Sequence, residues 1–96
     1  MITAIVLVNC AVDKIPEVAQ RIADLGGVSE VYSVTGDADL IAMVRVRGHE
    51  ELADVIADHL SKVPGVIGTS THIAFRSYSR HDLEAAFSLG LDGDSP

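Results

Sequence analysis

Aromatic and sulphur-bearing side chains are scarce in this 96-residue chain, which has no Trp, two Tyr, two Phe and a single Cys. One cysteine excludes an intramolecular disulfide framework and a cysteine-based zinc knuckle. We therefore expect Cys10 to be a small buried hydrophobic residue. The length leaves room for one domain with one core.

Positive charge is also scarce, because seven Lys and Arg residues face fourteen Asp and Glu residues, for a net charge of −7. Arg45 and Arg47 share one predicted strand, and the other basic residues are scattered along the chain. A field of this sign repels a phosphate backbone. Direct binding to nucleic acid is therefore not expected.

Long apolar runs are absent even though 48% of the residues are hydrophobic. The longest run, residues 4–8, is far shorter than the roughly 20 residues that a membrane-spanning helix needs. No basic residue precedes this run and no small-residue cleavage site follows it, so it does not resemble a signal peptide. We expect a cytoplasmic protein with no membrane partner.

Alternating strand and helix patterns predict six main elements. In order, they are a strand over residues 2–9, a helix capped by Asp13 with Pro16 in its first turn, strands over residues 28–35 and 38–47, a helix after Gly48, and a strand over residues 66–76. Residues 80–89 are predicted to form a short terminal helix, and residues 92–96 a disordered polar tail.

The two halves of the chain resemble each other. A shift of 38 places lays Val6 on Val44, Ile22 on Leu60 and Gly27 on Gly65. Each half then reads as strand, helix, strand, and two such units joined by a hairpin make one sheet. The predicted fold is α+β, a ferredoxin-like βαββαβ sandwich whose four-stranded antiparallel sheet carries both helices on one face.

The sheet face away from the helices is predicted to be apolar. Ile5 and Leu7 fall on it from the first strand, and Ile41 and Met43 from the third. Soluble monomers rarely expose such a patch, so we expect a homodimer that packs sheet on sheet as a dimeric α/β barrel. The alternative is a terminal helix that covers the face with Leu83, Ala86 and Phe87.

Two groups of polar residues are candidates for ligand binding. Asp37 and Asp39 lie at the predicted hairpin tip, where Asp is also common for turn reasons alone. Thr69, Ser70 and Thr71 form a hydroxyl run on an otherwise apolar strand, which β-propensity alone could also explain. Together they offer a carboxylate for an ammonium group and hydroxyl donors for a carboxylate.

The four histidines show no metal-ligand spacing. His59 falls on the apolar side of the second predicted helix, where we expect a partly buried, hydrogen-bonded side chain. His72 follows the hydroxyl run and could face a ligand or a partner chain. There is no glycine-rich phosphate loop, so neither a nucleotide nor any other cofactor is expected.

Three motifs carry a resemblance to a known family. They are VYSVTGDADL at residues 31–40, VPGV at residues 63–66 and TST at residues 69–71. As a set, they resemble the effector domain of the Lrp/AsnC transcriptional regulators, called RAM for regulation of amino-acid metabolism. The resemblance covers residues 2–75. Residues 1–79 are accordingly expected to form an effector-binding and oligomerisation domain, with residues 80–96 as a C-terminal extension outside the family pattern.

The resemblance implies several properties. Family members usually carry a helix-turn-helix domain before this module, and the chain is similar to stand-alone RAM proteins that lack it. Dimers would join into rings such as octamers, with amino acids bound in clefts between dimers. The family's ligand loop falls on Thr35, Gly36, Asp37, Ala38 and Asp39, and its strand-four contributors fall on Thr69, Ser70 and Thr71.

Three functions remain open at this point. The first is an amino-acid-binding oligomer that modulates transcription or amino-acid metabolism indirectly, by assembling with full-length Lrp/AsnC regulators. The second is a small dimeric ferredoxin-like enzyme of the monooxygenase or isomerase type, which the scarcity of aromatic residues disfavours. The third is a purely structural assembly subunit. We expect a binding module and not an enzyme.

Overall fold

A four-stranded antiparallel sheet forms the body of the computed structural model, which describes residues 1–78. The elements are β1 (Ile2–Cys10), α1 (Ile15–Ala23), β2 (Val28–Ser33), β3 (Leu40–Val46), a helix α2 that begins at His49, and β4 (Val66–Ile73). The strands lie in the order β2-β3-β1-β4. The predicted ferredoxin-like βαββαβ fold is confirmed, although β2 and β4 end earlier than predicted.

One face of the sheet forms the hydrophobic core with the two helices. From β1, Ala4, Val6 and Val8 are fully buried, and they pair in register with Val44, Ala42 and Leu40 of β3. The core cluster is completed from the helices by Val18, Ile22, Leu52, Val55 and Leu60. Because side chains alternate along a strand, the intervening residues of β1 and β3 lie on the opposite face.

The start of α1 differs from the prediction. A 3-10 turn over Val12–Lys14 precedes the helix, and Asp13 lies inside this turn, where it makes no capping hydrogen bond. Pro16 does lie in the first turn of α1, where its missing N–H leaves no helical hydrogen bond unmade. The expected cap at Asp13 is therefore wrong, because the helical turn already begins at Val12 and includes Asp13.

The second helix is not uniformly α-helical. It is α-helical over His49–Ala53, π-helical over Asp54–His59 and 3-10 over Leu60–Lys62. The π-helical turn widens the spacing between core residues to five positions, so Val55 and Leu60 both reach the core. His59 is consequently exposed and not partly buried as expected, and its Nδ1 lies 2.8 Å from the carbonyl oxygen of Asp54.

The loop before β4 packs tightly against the start of α1. The amide of Ala11 donates to the carbonyl of Gly65 at 2.9 Å. Gly65 has φ +101°, and a Cβ placed there would lie 2.7 Å from Cγ2 of Val18. Only glycine fits this position without strain, so the Pro64-Gly65 stop signal is also a packing requirement.

Several expectations fall on residues 79–96, which lie outside the described residues. These are the C-terminal extension, its short helix and its polar tail, and the alternative cover of the sheet by Leu83, Ala86 and Phe87. The boundary between domain and extension at residue 79 therefore stays a prediction. Within residues 1–78, no helix combines the length and apolar character needed to cross a bilayer.

Candidate functional site

The face of the sheet opposite the helices, called the open face below, has an apolar centre. Ile5 pairs with Met43 and Leu7 pairs with Ile41, so these four side chains form a contiguous block. All four are only half-buried within a single chain. Tyr32 of β2 pairs with Ile41 and is 51% exposed at the margin of this block.

The β2–β3 hairpin is fixed to the end of β1 by main-chain hydrogen bonds. The amide of Val34 donates to the carbonyl of Asp39 at 3.1 Å, and the amide of Asp39 donates to the carbonyl of Val8 at 3.0 Å. At the tip, Gly36 has φ +112° with open space around it. The tip is therefore held in a conformation that a residue with a side chain rarely adopts.

The two aspartates of the hairpin have different environments. The Asp39 carboxylate is half-buried and accepts a hydrogen bond of 2.9 Å from the backbone amide of Cys10. Asp37 is exposed and has no partner among the described residues. Asp39 therefore has a structural role at the end of β1, whereas the Asp37 carboxylate is free to meet a ligand.

Cys10 is 2% exposed, which confirms that it is a buried small residue. Burial raises the pKa of its thiol above the ordinary value, and the negative charge of Asp39 raises it further. A neutral thiol in this position is a poor nucleophile.

At the margin of the sheet, a hydrogen bond from the Tyr32 hydroxyl to the Glu30 carboxylate raises the pKa of the Tyr32 phenol.

A shallow depression of about 720 Å³, called the hairpin depression below, lies where the hairpin meets the open face. It is lined by Leu7, Ser33, Val34, Thr35, Asp37, Ala38 and Ile41. Three of these, Thr35, Asp37 and Ala38, belong to the predicted site. The apolar floor of Leu7 and Ile41 was not among the predicted site residues, although the two-residue period of the strands places both on this face.

The three hydroxyls of β4 do not point the same way. Ser70 pairs with Leu7 and shares the open face with the hairpin depression. Thr69 pairs with Val8 and Thr71 with Val6, so both lie on the helix side of the sheet. All three are exposed, because β4 is an edge strand that the helices leave uncovered.

His72 lies on the open face beside its pairing partner Ile5, and its Nε2 is 3.5 Å from the Ser70 hydroxyl. Among the described residues, no three His, Cys, Asp or Glu side chains gather in a way that could hold a metal ion. The polar groups of the site are therefore a free carboxylate, hydroxyls and one imidazole, set around an apolar floor.

Known proteins share the fold and part of the sequence of this chain. The sequence profile of the Lrp/AsnC ligand binding domain matches residues 3–83. The HTH-type transcriptional regulator FL11 of Pyrococcus horikoshii is 36% identical over 75 residues, which are 78% of this chain and 49% of the regulator. The chain thus spans about half the length of the curated relatives it matches, and these relatives are transcriptional regulators.

Solved structures agree with the sequence matches. The crystal structure of TTHA0845 from Thermus thermophilus is similar at a TM-score of 0.78 and 45% identity, over 83% of this chain and all of that one. The complex of the regulator NMB0573 of Neisseria meningitidis with L-methionine is similar in fold, at a TM-score of 0.74 and 16% identity, over 82% of this chain and 53% of that one. The extent of the sequence match and the shared fold show that the chain belongs to the Lrp/AsnC ligand-binding (RAM) domain family.

Proposed function

We propose that this chain is an amino-acid-binding and assembly module that acts on transcription through its partners. The observation that carries the proposal is the hairpin depression, in which an exposed carboxylate at Asp37 stands beside an apolar floor. A charged group next to an apolar surface suits an amino acid with a hydrophobic side chain. Membership of a ligand-binding family supports the same reading.

Each part of such a ligand has a matching group. The ammonium group pairs with the Asp37 carboxylate, and the apolar side chain lies on Leu7 and Ile41. The carboxylate of the ligand accepts hydrogen bonds from the hydroxyls of Thr35 and Ser70 and from backbone amides near Gly36 and Ala38. Gly36 allows close approach of the ligand, since it has no Cβ.

The remaining predicted contacts need a second subunit. Thr69 and Thr71 lie on the helix side of the edge strand β4, away from the hairpin depression of their own chain. They contribute to a ligand site where a neighbouring subunit approaches that side. Asp39 holds the hairpin in place for the ligand through its bond to Cys10.

Titration calorimetry with L-methionine and the other natural amino acids tests the ligand. L-Methionine comes first because a regulator of the same fold was solved in complex with it. Asp37→Asn should weaken binding about five- to tenfold, through loss of one charge-assisted hydrogen bond. The matched control is Asp58→Asn, an exposed carboxylate on α2, which should bind like the wild type. No heat with any amino acid at millimolar concentration would refute the sensor role and favour a structural subunit.

The assembly part of the proposal is a homodimer that packs open face on open face and joins into larger rings. The half-buried block of Ile5, Leu7, Ile41 and Met43 supports it, because a second copy would remove this apolar surface from water. The second copy would also close the hairpin depression, so that the side chain of the ligand lies on Leu7 and Ile41 between the two sheets. Met43→Lys should therefore shift the mass toward 10.1 kDa in sedimentation velocity. The control is Val12→Lys, since Val12 is 83% exposed and lies off this face. A wild-type chain that sediments as a stable monomer would refute this part.

The regulatory part concerns mixed assemblies. Because the chain matches about half of a typical relative, it carries the surfaces of the ligand-binding domain. Through these surfaces it would enter rings with full-length Lrp/AsnC regulators and change the composition of those rings. Native mass spectrometry of the chain mixed with a full-length family member tests this. Only homomeric species in the mixture would contradict it.

A further inference from the structure

The exposed surface of α1 and its two cap residues carries four charged side chains of alternating sign, called the α1 stripe below. They are Lys14, Glu17, Arg21 and Asp24, which read positive, negative, positive, negative in chain order. Their spacing of three, four and three residues places them within an arc of roughly 80° on a helix of about 3.6 residues per turn. Lys14, Glu17 and Arg21 also line one shallow groove of about 450 Å³ beside the loop before β4, so they share one surface.

The charges of the α1 stripe are not paired within the chain. Glu17 and Arg21 are four residues apart, a spacing at which opposite charges often pair on a helix surface. Among residues 1–78, however, neither side chain makes an ion pair or a hydrogen bond, and the same holds for the Lys14 ammonium group. Asp24 accepts one hydrogen bond of 3.3 Å from the side-chain amide of Gln20. The charges of the stripe are therefore available to a partner molecule.

The α1 stripe stays exposed in the proposed dimer. α1 packs on the helix side of the sheet, where its Val18 and Ile22 enter the core. The open face, through which the two subunits of that dimer meet, lies on the other side of the sheet. A contact through the α1 stripe can therefore form in addition to the dimer contact.

The order of the charges selects the kind of partner. A second α1 that runs antiparallel presents the same stripe in reverse order, so each charge meets an opposite charge. With a two-fold axis at the level of Ala19, Lys14 faces Asp24 of the other copy and Glu17 faces Arg21 of the other copy, and the axis repeats both pairs. A parallel copy in register would bring like charges together. The stripe is therefore complementary to itself.

We propose that open-face dimers join to one another through the α1 stripe, in a two-fold contact between antiparallel α1 helices. This inference rests on the proposed open-face dimer and specifies how such dimers join into rings. Each chain then has two different isologous contacts, which alternate around a closed ring of dimers. Exposed ion pairs are individually weak, so one such contact does not hold two separate chains together. Ring closure makes the contacts effective, because each dimer is held at both ends.

Charge reversal tests the contact, with sedimentation velocity as the measurement. Glu17→Arg brings positive charges together and Arg21→Glu brings negative charges together, twice in each contact because of the two-fold axis. Each variant should raise the dissociation constant between dimers about tenfold or more and leave the dimer, of twice 10.1 kDa, intact. The matched control is Asp58→Arg, which changes the net charge as Glu17→Arg does at an exposed position of α2 and should leave the assembly unchanged.

An equimolar mixture of the two reversed variants gives the sharpest result. In a contact between them, all four pairs are again opposite in charge, so the mixture should form the larger assemblies that neither variant forms alone. Salt gives an independent measurement, since the screening length falls from about 10 Å at about 0.1 M to about 3 Å at about 1 M. The larger assemblies should therefore dissociate to dimers at high salt, while the apolar open-face contact persists.

The outcomes separate this inference from the proposed dimer. A wild-type chain that forms dimers and nothing larger at low salt would overturn the inference and leave the open-face dimer intact, whereas a stable monomer would overturn both. The inference also fails if either reversal leaves the larger assemblies unchanged, if Asp58→Arg disrupts them equally, or if the mixture does not restore them. Because Glu17 and Arg21 are exposed, circular dichroism of both variants should match the wild type and show that a loss of assembly is not a loss of folding.

Discussion

Asp39 provides the sharpest test of how the hairpin is held. Its carboxylate lies 2.9 Å from the backbone nitrogen of Cys10, a residue that is 2% exposed. β3 ends its pairing with β1 at Val8, so the Cys10 amide has no strand partner on that side. Asp39→Ala removes the acceptor and leaves a donor in a place that water reaches poorly.

The size of the effect follows from that geometry. Leaving a buried donor without a partner costs about 1–3 kcal/mol, and bonds to a charged acceptor lie in the upper part of that range. For a chain of this length, the denaturant slope is roughly 1 kcal/mol per molar urea. The unfolding midpoint of Asp39→Ala should therefore fall by about 1–3 M urea. Asp39→Asn keeps an oxygen acceptor and should lose about half as much.

Urea unfolding followed by circular dichroism measures this, at one fixed protein concentration because assembly would add to the apparent stability. Asp37→Ala is the matched control, since it removes an exposed carboxylate two residues away and should change the free energy of unfolding by less than about 0.5 kcal/mol. Equal midpoints for the two alanine variants would refute a structural role for the Asp39 carboxylate.

Three further predictions follow from the fold. Because the pKa of Cys10 is raised in the folded state, its neutral thiol stabilises the fold fully below pH 9 and progressively less as the pH rises through the folded-state pKa. The difference in unfolding free energy between the wild type and Cys10→Ala, measured by urea titration, should therefore be constant below pH 9 and shrink above it. Deleting the exposed Ala57 should turn the π-helical turn into α-helix and keep the unfolding free energy within about 1 kcal/mol of the wild type. The control is deletion of the exposed Gln20 in α1, which should cost about 3 kcal/mol or more because it rotates core residues away from the sheet. Equal losses for the two deletions would refute the interpretation that the π-helical turn contains one extra residue. Gly65→Ala should lower the free energy of unfolding by about 2–4 kcal/mol in the same assay. Gly26→Ala, where a Cβ would have open space, should lower it by less than about 1 kcal/mol. Similar losses for the two variants would contradict the close packing before β4.

The second helix shows where reading from sequence reaches its limit. The apolar residues of that segment suit both a regular helix, in which Ile56 and His59 face the core, and a helix with one widened turn. Only packing against the sheet decides between them, because it selects Val55 and Leu60 together. The helix itself could be predicted from its period, but not which turn would widen.

The hairpin shows the same limit at the site. Its position and its Gly-Asp tip could be read from turn chemistry, and the family resemblance placed a ligand loop there. The different environments of Asp37 and Asp39 could not be read, since the partner of Asp39 is the amide of Cys10, 29 residues earlier. By contrast, the two-residue period of a strand predicts that the Ser70 hydroxyl lies on the opposite face of β4 from those of Thr69 and Thr71.

The place of β1 in the sheet has a consequence for synthesis of the chain. β1 is made first, yet its partners are β3 on one side and β4 on the other. The two edges of β1 are paired only after β3 and then β4, the last strand among residues 1–78, have been made. Until then, a strand that is hydrophobic on both faces presents a free edge to other nascent chains. On the ribosome, this module therefore stays prone to aggregate until β4 is released, because pairing with β3 covers only one of the two edges of β1.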